Sequence, residues 1–176
     1  MHTAFSAKKL TASAMLLAIG LLLPFLTGQI QGIGNMLCPL HLPVFLTGMI
    51  CGPFWGTAVG VILPLLRSFL FGMPPLMPTA AAMAFELAAY GLVSGILRAK
   101  LPKTLPMLFV SLIGAMVLGR AVWGIASLVL YGFTARVFTW QLFVTNGFVQ
   151  AIPGILLQLI LIPPIVRAAE KAHLPG

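Results

Sequence analysis

Apolar runs near residues 10–27, 39–51, 54–72, 77–98, 105–131 and 139–166 fill most of this chain, parted by charged or Gly/Pro-rich breaks. At ~1.5 Å of rise per residue, every run but the second is long enough as a helix to cross most or all of a hydrocarbon core ~30 Å thick. Composition excludes the aqueous alternative. Of the 176 residues 60% are hydrophobic and 7% charged, against about 25% charged in a soluble domain. Too little polar surface exists to coat a globule, so the bilayer is the expected solvent. The expectation is an all-α membrane protein: one domain over 1–176, six transmembrane helices, and no room for a soluble domain beside them.

The second run is short, and Pro39, Pro43 and Pro64 interrupt its region. Joining 39–72 into one span would give a helix of roughly 50 Å, far longer than the core. The stretch CGPFWG at 51–56 supplies a turn between two spans instead. Charge supports the same count. Lys8 and Lys9 precede span one, Arg98, Lys100 and Lys103 lie between spans four and five, and Arg167 and Lys171 follow span six. Six spans put all of these on one side, which the positive-inside rule makes cytoplasmic, together with both termini. The N-terminal run also resembles a signal peptide, but no A-x-A-like cleavage site follows it, so a first span is expected.

Several function classes are excluded on residue types. The net charge of +8 is spread in short clusters between apolar runs, with no basic, aromatic-interleaved stripe, so nucleic acid is not an expected partner. There is no aspartate, no H-E-x-x-H and no P-loop. Metal catalysis and paired-carboxylate chemistry lack their residues, and GLVSG at 91–95 is not the G-x-S-G of a rhomboid-like protease. No metal and no cofactor are expected. Cys38 and Cys51 would lie about 20 Å apart on a helix, too far to bridge.

The informative residues are polar ones inside the runs. Counted from the outer ends of their spans, Arg67, Glu86, Arg120, Asn146 and Gln150 fall roughly 8–17 Å deep at ~1.5 Å per residue. Asn35 and His41 enter from the loop before span two. Glu86, Tyr90 and Ser94 recur at i, i+4, i+8, a single helix stripe; Arg120, Trp123 and Ser127 do the same at i, i+3, i+7, and Asn146 and Gln150 share a face of the last span. Ionisable groups inside a membrane face the bundle interior or a water-filled cavity. Glu86 therefore pairs with Arg120 or Arg67, as structural glue or as part of a site. Either pairing leaves one arginine over, and its planar guanidinium suits a carboxylate or phosphate. The expected guest is a small anion, with Trp123, Tyr90 and Tyr131 as candidate apolar walls.

KKLTASAMLLAIG opens span one and contains A-x-x-x-A at Ala14–Ala18; LHLPVFLTGMICGPFWGTAVGVILPLLRSFLFG carries L-P-x-x-x-x-G and then G-P-x-x-G. In these stretches the chain resembles the S components of energy-coupling factor (ECF) vitamin transporters, the second being similar to the family's spans two and three. The resemblance implies a multi-pass protein of a prokaryotic cell membrane that binds a vitamin at its outer face, without catalysis or an ATPase of its own. It implies a membrane T component and two cytoplasmic ATPases as partners, with Ala14 and Ala18 as the contact face. It also implies a loop, here 27–39, that closes over the ligand, with Gly32 and Gly34 letting it move. GNMLCPLHLPVFLTG and RSFLFGMPP are most similar to members associated with pantothenate; biotin, folate, niacin and lipoate are also carboxylates, while riboflavin and thiamine are not. The alternative from another class is a non-transport membrane protein, either a small intramembrane enzyme or an assembly factor.

Overall fold

The computed structural model describes residues 6–28, 34–134 and 137–172. The loop stretch 29–33, with Gly32, and the side chain of Asn35 lie outside the described residues. Among the described residues seven helices follow one another: α1 (Ala7–Thr27), α2 (His41–Cys51), α3 (Pro53–Phe71), α4 (Ala81–Lys100), α5 (Leu105–Tyr131), α6 (Trp140–Val144) and α7 (Ile152–Lys171). Irregular turns of helix lie between α1 and α2 (Gly34–Leu37), α3 and α4 (Leu76–Ala80), and α6 and α7 (Thr145–Val149). Among the described residues five candidate spans are long and apolar enough to cross a membrane, one of them running from α6 through α7; α2 is the short sixth segment.

Glycine and proline set the boundaries. Gly52, at φ 99°, turns the chain between α2 and α3, a backbone state open to glycine and disfavoured for residues with a Cβ. Pro53 then starts α3 where a missing N–H does no harm. Gly72, at φ 69°, closes α3 in the left-handed conformation, its N–H bonded to the Ser68 carbonyl. Thr139 caps α6 by accepting from the Leu142 N–H at 3.2 Å.

The expected second span takes a different form. As a helix α2 has 11 residues, about 16 Å, roughly half the hydrocarbon core. It sits inside the bundle against α1, α3, α4 and α7, and nine of its residues are buried, from His41 to Cys51. A helix this apolar and this enclosed is a core element and needs no lipid-facing length. It reaches α3 and α4 through small residues. The Gly56 and Gly91 backbones lie so close that a Cβ on either would strike the other helix, and Gly48 meets Gly91 and Ser94 in the same way. Close approach of backbones replaces side-chain interdigitation here, the usual device where no hydrophobic drive separates protein from solvent.

The outer surface is apolar. Met15 and Leu22 on α1, Val117, Leu118, Ile125 and Leu128 on α5, and Leu156 and Ile160 on α7 are all exposed. Helix α1 is loosely held, with Ser13 and Gly20 the only buried residues of its 21. Ala14 and Ala18 stand one turn apart on its exposed side.

The last span is not one helix. The chain leaves α-helical geometry at Thr145–Val149 and resumes at Ile152, with Pro153 in the first turn of α7. Asn146 lies in this irregular turn and Gln150 closes it, and both side chains are exposed rather than turned into the bundle. At the far end Lys9, Arg98 and Lys103 border one cavity, so the start of α1, the end of α4 and the approach to α5 meet at one end of the bundle.

Candidate functional site

Helix α4 begins AAMAFELAAY, rich in strong helix formers, and its stripe of Glu86, Tyr90 and Ser94 is fully buried. Glu86 Oε1 accepts from the Tyr90 hydroxyl at 2.8 Å and from Arg120 Nη1 of α5 at 2.7 Å. His41 Nε2, at the start of α2, stands 3.8 Å from the same oxygen, beyond hydrogen-bond reach. Tyr90 is fixed from both sides. Phe45 stacks on it at 4.7 Å between ring centroids, and Gly119 lets its edge pass where any Cβ would collide. Arg120 turns its other flank toward Trp123, 6.0 Å from the guanidinium carbon to the ring centre.

Arg67 has a different setting. It is buried near the end of α3, where Nη1 donates to the Leu21 carbonyl of α1 at 2.7 Å. Phe25 and Phe71 flank the guanidinium at 4.8 and 5.4 Å, within cation–π range. No side-chain carboxylate pairs with it. The chain has two acidic residues; Glu86 is bonded to Arg120, and Glu170 to Arg98.

Arg67 and His41 border a cavity of about 360 Å³ between the ends of α1 and α3 and the starts of α2 and α4. Thr79 and Cys38 add polar lining, and Pro24, Met73, Pro74 and Met83 are among the apolar walls. Burial pushes the Cys38 thiol above its ordinary value, so it lines the cavity uncharged. Neither ring nitrogen of His41 has a hydrogen-bond partner among the described residues, and the same holds for Arg120 Nε. The cavity thus offers one unneutralised guanidinium, with the His41 ring beside it, within a mostly apolar wall. Such an arrangement holds an anion and orients it.

Of the residues singled out in the sequence, His41, Glu86, Tyr90 and Arg120 gather in one buried cluster, and Arg67 and His41 share the cavity. Trp123 joins an aromatic group with Phe138 and Phe143 and is not among the cavity walls. Tyr131 packs on Phe138 in that group. Asn146 and Gln150 stand outside both. Cys38, Met73, Pro74, Thr79 and Met83 were not foreseen. The signal for Met73, Pro74 and Thr79 lies in the run GMPPLMPT at 72–79, where prolines follow the glycine that ends α3 and form a stiff wall. The pair of Arg98 with Glu170 was also missed; one of two acids in a basic chain demands a partner wherever it is buried. Among the described residues no three His, Cys, Asp or Glu side chains gather where they could hold a metal ion.

A family model for the substrate-specific component of ECF transporters matches residues 8–166. No curated protein and no solved structure matches the chain. The family match runs from the first turn of α1 into α7 and includes both the buried cluster and the cavity. This chain, a multi-pass membrane subunit without strands among its described residues, belongs to the family of ECF transporter substrate-specific components.

Proposed function

We propose that the chain captures a small anionic vitamin, pantothenate first among the candidates, and delivers it to an ECF importer. Arg67 carries this reading: it is a buried guanidinium in a cavity wall, and both carboxylates of the chain are engaged elsewhere. A ligand carboxylate supplies the missing charge as a planar partner for the guanidinium. His41 accepts from or donates to a hydroxyl or amide on the same ligand, and Asn35 approaches it as loop 27–39 closes.

The walls favour pantothenate over folate, riboflavin or thiamine. They are proline, methionine and aliphatic residues, and His41 is the one aromatic ring among the described walls. Flat heterocycles are held by stacking faces, which this wall lacks. The volume lies at the small end of ligand pockets, which run about 300–1,000 Å³, and suits a short aliphatic acid. Niacin, biotin and lipoate share the carboxylate and are told apart by the experiment below.

Uptake needs partners: a membrane T component and two cytoplasmic ATPases, with Ala14 and Ala18 presented on the exposed side of α1. The basic end of the bundle is cytoplasmic, with both termini, and the cavity opens at the other face of a prokaryotic cell membrane. Mass spectrometry of the small molecule retained on the purified protein tests the reading. An aliphatic carboxylic acid is expected. A cationic or uncharged guest bound at one per chain would overturn it.

A further inference from the structure

A second cavity, of about 200 Å³, lies at the end of the bundle opposite Arg67, with room for roughly six waters at ~30 Å³ each. Lys9 of α1, Arg98 of α4, Lys103 ahead of α5 and Glu170 of α7 line it, around the α2–α3 turn at Gly52. Arg98 is the anchor, 4% exposed. Its Nε and Nη2 both donate to Glu170 Oε1, at 3.0 and 2.5 Å. Its Nη1 is buried and has no partner among the described residues.

Among the described residues Glu170 is the only acid at this cavity, against Lys9, Arg98 and Lys103, so two of their positive charges remain unmatched. Helix ends do not set the sign, because α2 ends where α3 begins and their end charges oppose. The side chains do. Lys9 is half-buried and Lys103 stands exposed, while Met49, Ile50 and Pro53 give the cavity an apolar side. Leu10 of α1 and Phe54 of α3, beside the lining residues Lys9 and Pro53 in sequence, are exposed apolar side chains.

We propose that this cavity binds a phosphate group, that of an anionic lipid headgroup, with Arg98 Nη1 at its floor and Lys9 and Lys103 at its rim. A guanidinium and two ammonium groups match a phosphodiester. Basic pockets between transmembrane helices at the positive end of a bundle lie at headgroup depth, and the exposed apolar side chains beside this one offer the acyl chains a path. The proposal is independent of the cargo.

The test is native mass spectrometry of the full chain from nanodiscs of phosphatidylcholine and phosphatidylglycerol, compared with the double variant Lys9→Ala/Lys103→Ala, which leaves the Arg98–Glu170 pair in place. Wild type is expected to retain phosphatidylglycerol at least tenfold over phosphatidylcholine, and the double variant to lose most of that preference. A parallel arm adds inorganic phosphate in detergent without lipid. A thermal shift there that the double variant abolishes, with no lipid preference, keeps the phosphate site and assigns it to the free ion. Equal retention of both lipids with no phosphate shift overturns the proposal, as does an unchanged preference in the double variant. Loss of coupling-module assembly in the double variant, with lipid and phosphate retention equal to those of wild type, would assign the cations to a protein partner and also overturn it.

Discussion

Arg120 Nη1 on α5 lies 2.7 Å from Oε1 of Glu86 on α4, and both side chains are buried. The two helices are thereby pinned by charge at a depth where neither group can reach water. Removing one partner strands the other, which typically costs about 3–5 kcal/mol, whereas replacing both with apolar groups of similar volume is often nearly neutral. Glu86→Gln and Arg120→Met are each expected to lower the unfolding midpoint sharply in detergent, and Glu86→Leu/Arg120→Met to recover much of the loss. Two single variants as stable as wild type would mean that the pair does not hold α4 to α5.

Gly56 and Gly91 mark the tightest helix crossing. A side chain on Gly91 meets the Gly56 backbone of α3, which has nowhere to retreat because Gly48 of α2 abuts the same crossing. Overpacking of a filled interface costs typically about 1–3 kcal/mol and moves backbone. Gly91→Ala is expected to fall in that range and Gly91→Leu to prevent a stable fold. Gly114→Ala, which would touch only the flexible end of Leu97, serves as the control and is expected to change little. Thermal unfolding of the three variants checks the ranking; equal midpoints for Gly91→Ala and Gly114→Ala would remove the crossing from the account.

Helix positions were legible because hydropathy and helix stops act locally. The expected run 105–131 coincides with α5, and 54–72 differs from α3 by one residue at each end. Facing was legible wherever the helix was regular, so the stripe Glu86–Tyr90–Ser94 is buried as its spacing requires. It failed where the backbone left that geometry. Asn146 and Gln150, in and beside the irregular turn Thr145–Val149, are exposed rather than turned inward, and hydropathy carries no trace of that turn. Tertiary partners were half legible. Charge balance left one arginine without a carboxylate, but that Arg67 would reach the Leu21 carbonyl, or Arg98 the distant Glu170, depends on packing that no local pattern encodes.

Ala14 and Ala18 face outward from α1, a helix with little of its surface covered by the rest of the chain. Small residues at that spacing admit another helix at close range. Ala14→Leu/Ala18→Leu is expected to leave ligand binding in detergent within about twofold of wild type while abolishing uptake by cells and co-purification of the T component. A loss of binding together with uptake would place the two alanines in the fold or the site. Uptake that survives both substitutions would exclude this face from coupling.

Arg67 supplies the decisive prediction, because it separates a site from glue. Its neighbours are the Leu21 carbonyl and the rings of Phe25 and Phe71, and none of them needs a positive charge to be stable. Arg67→Met keeps the volume and removes the charge, so the fold should persist with its Glu86–Arg120 pair intact. Affinity for a carboxylate ligand should then fall by more than tenfold, over ~1.4 kcal/mol. Arg67→Lys should recover part of it, since an ammonium keeps the charge but not the planar fork. His41→Phe keeps a ring in the wall while removing both nitrogens, and should weaken binding by a smaller factor without altering charge selectivity. Ligand titration by calorimetry, with thermal unfolding as the control for folding, measures all three. Wild-type affinity in Arg67→Met would show that the guanidinium only packs, and the anionic cargo would lose its support.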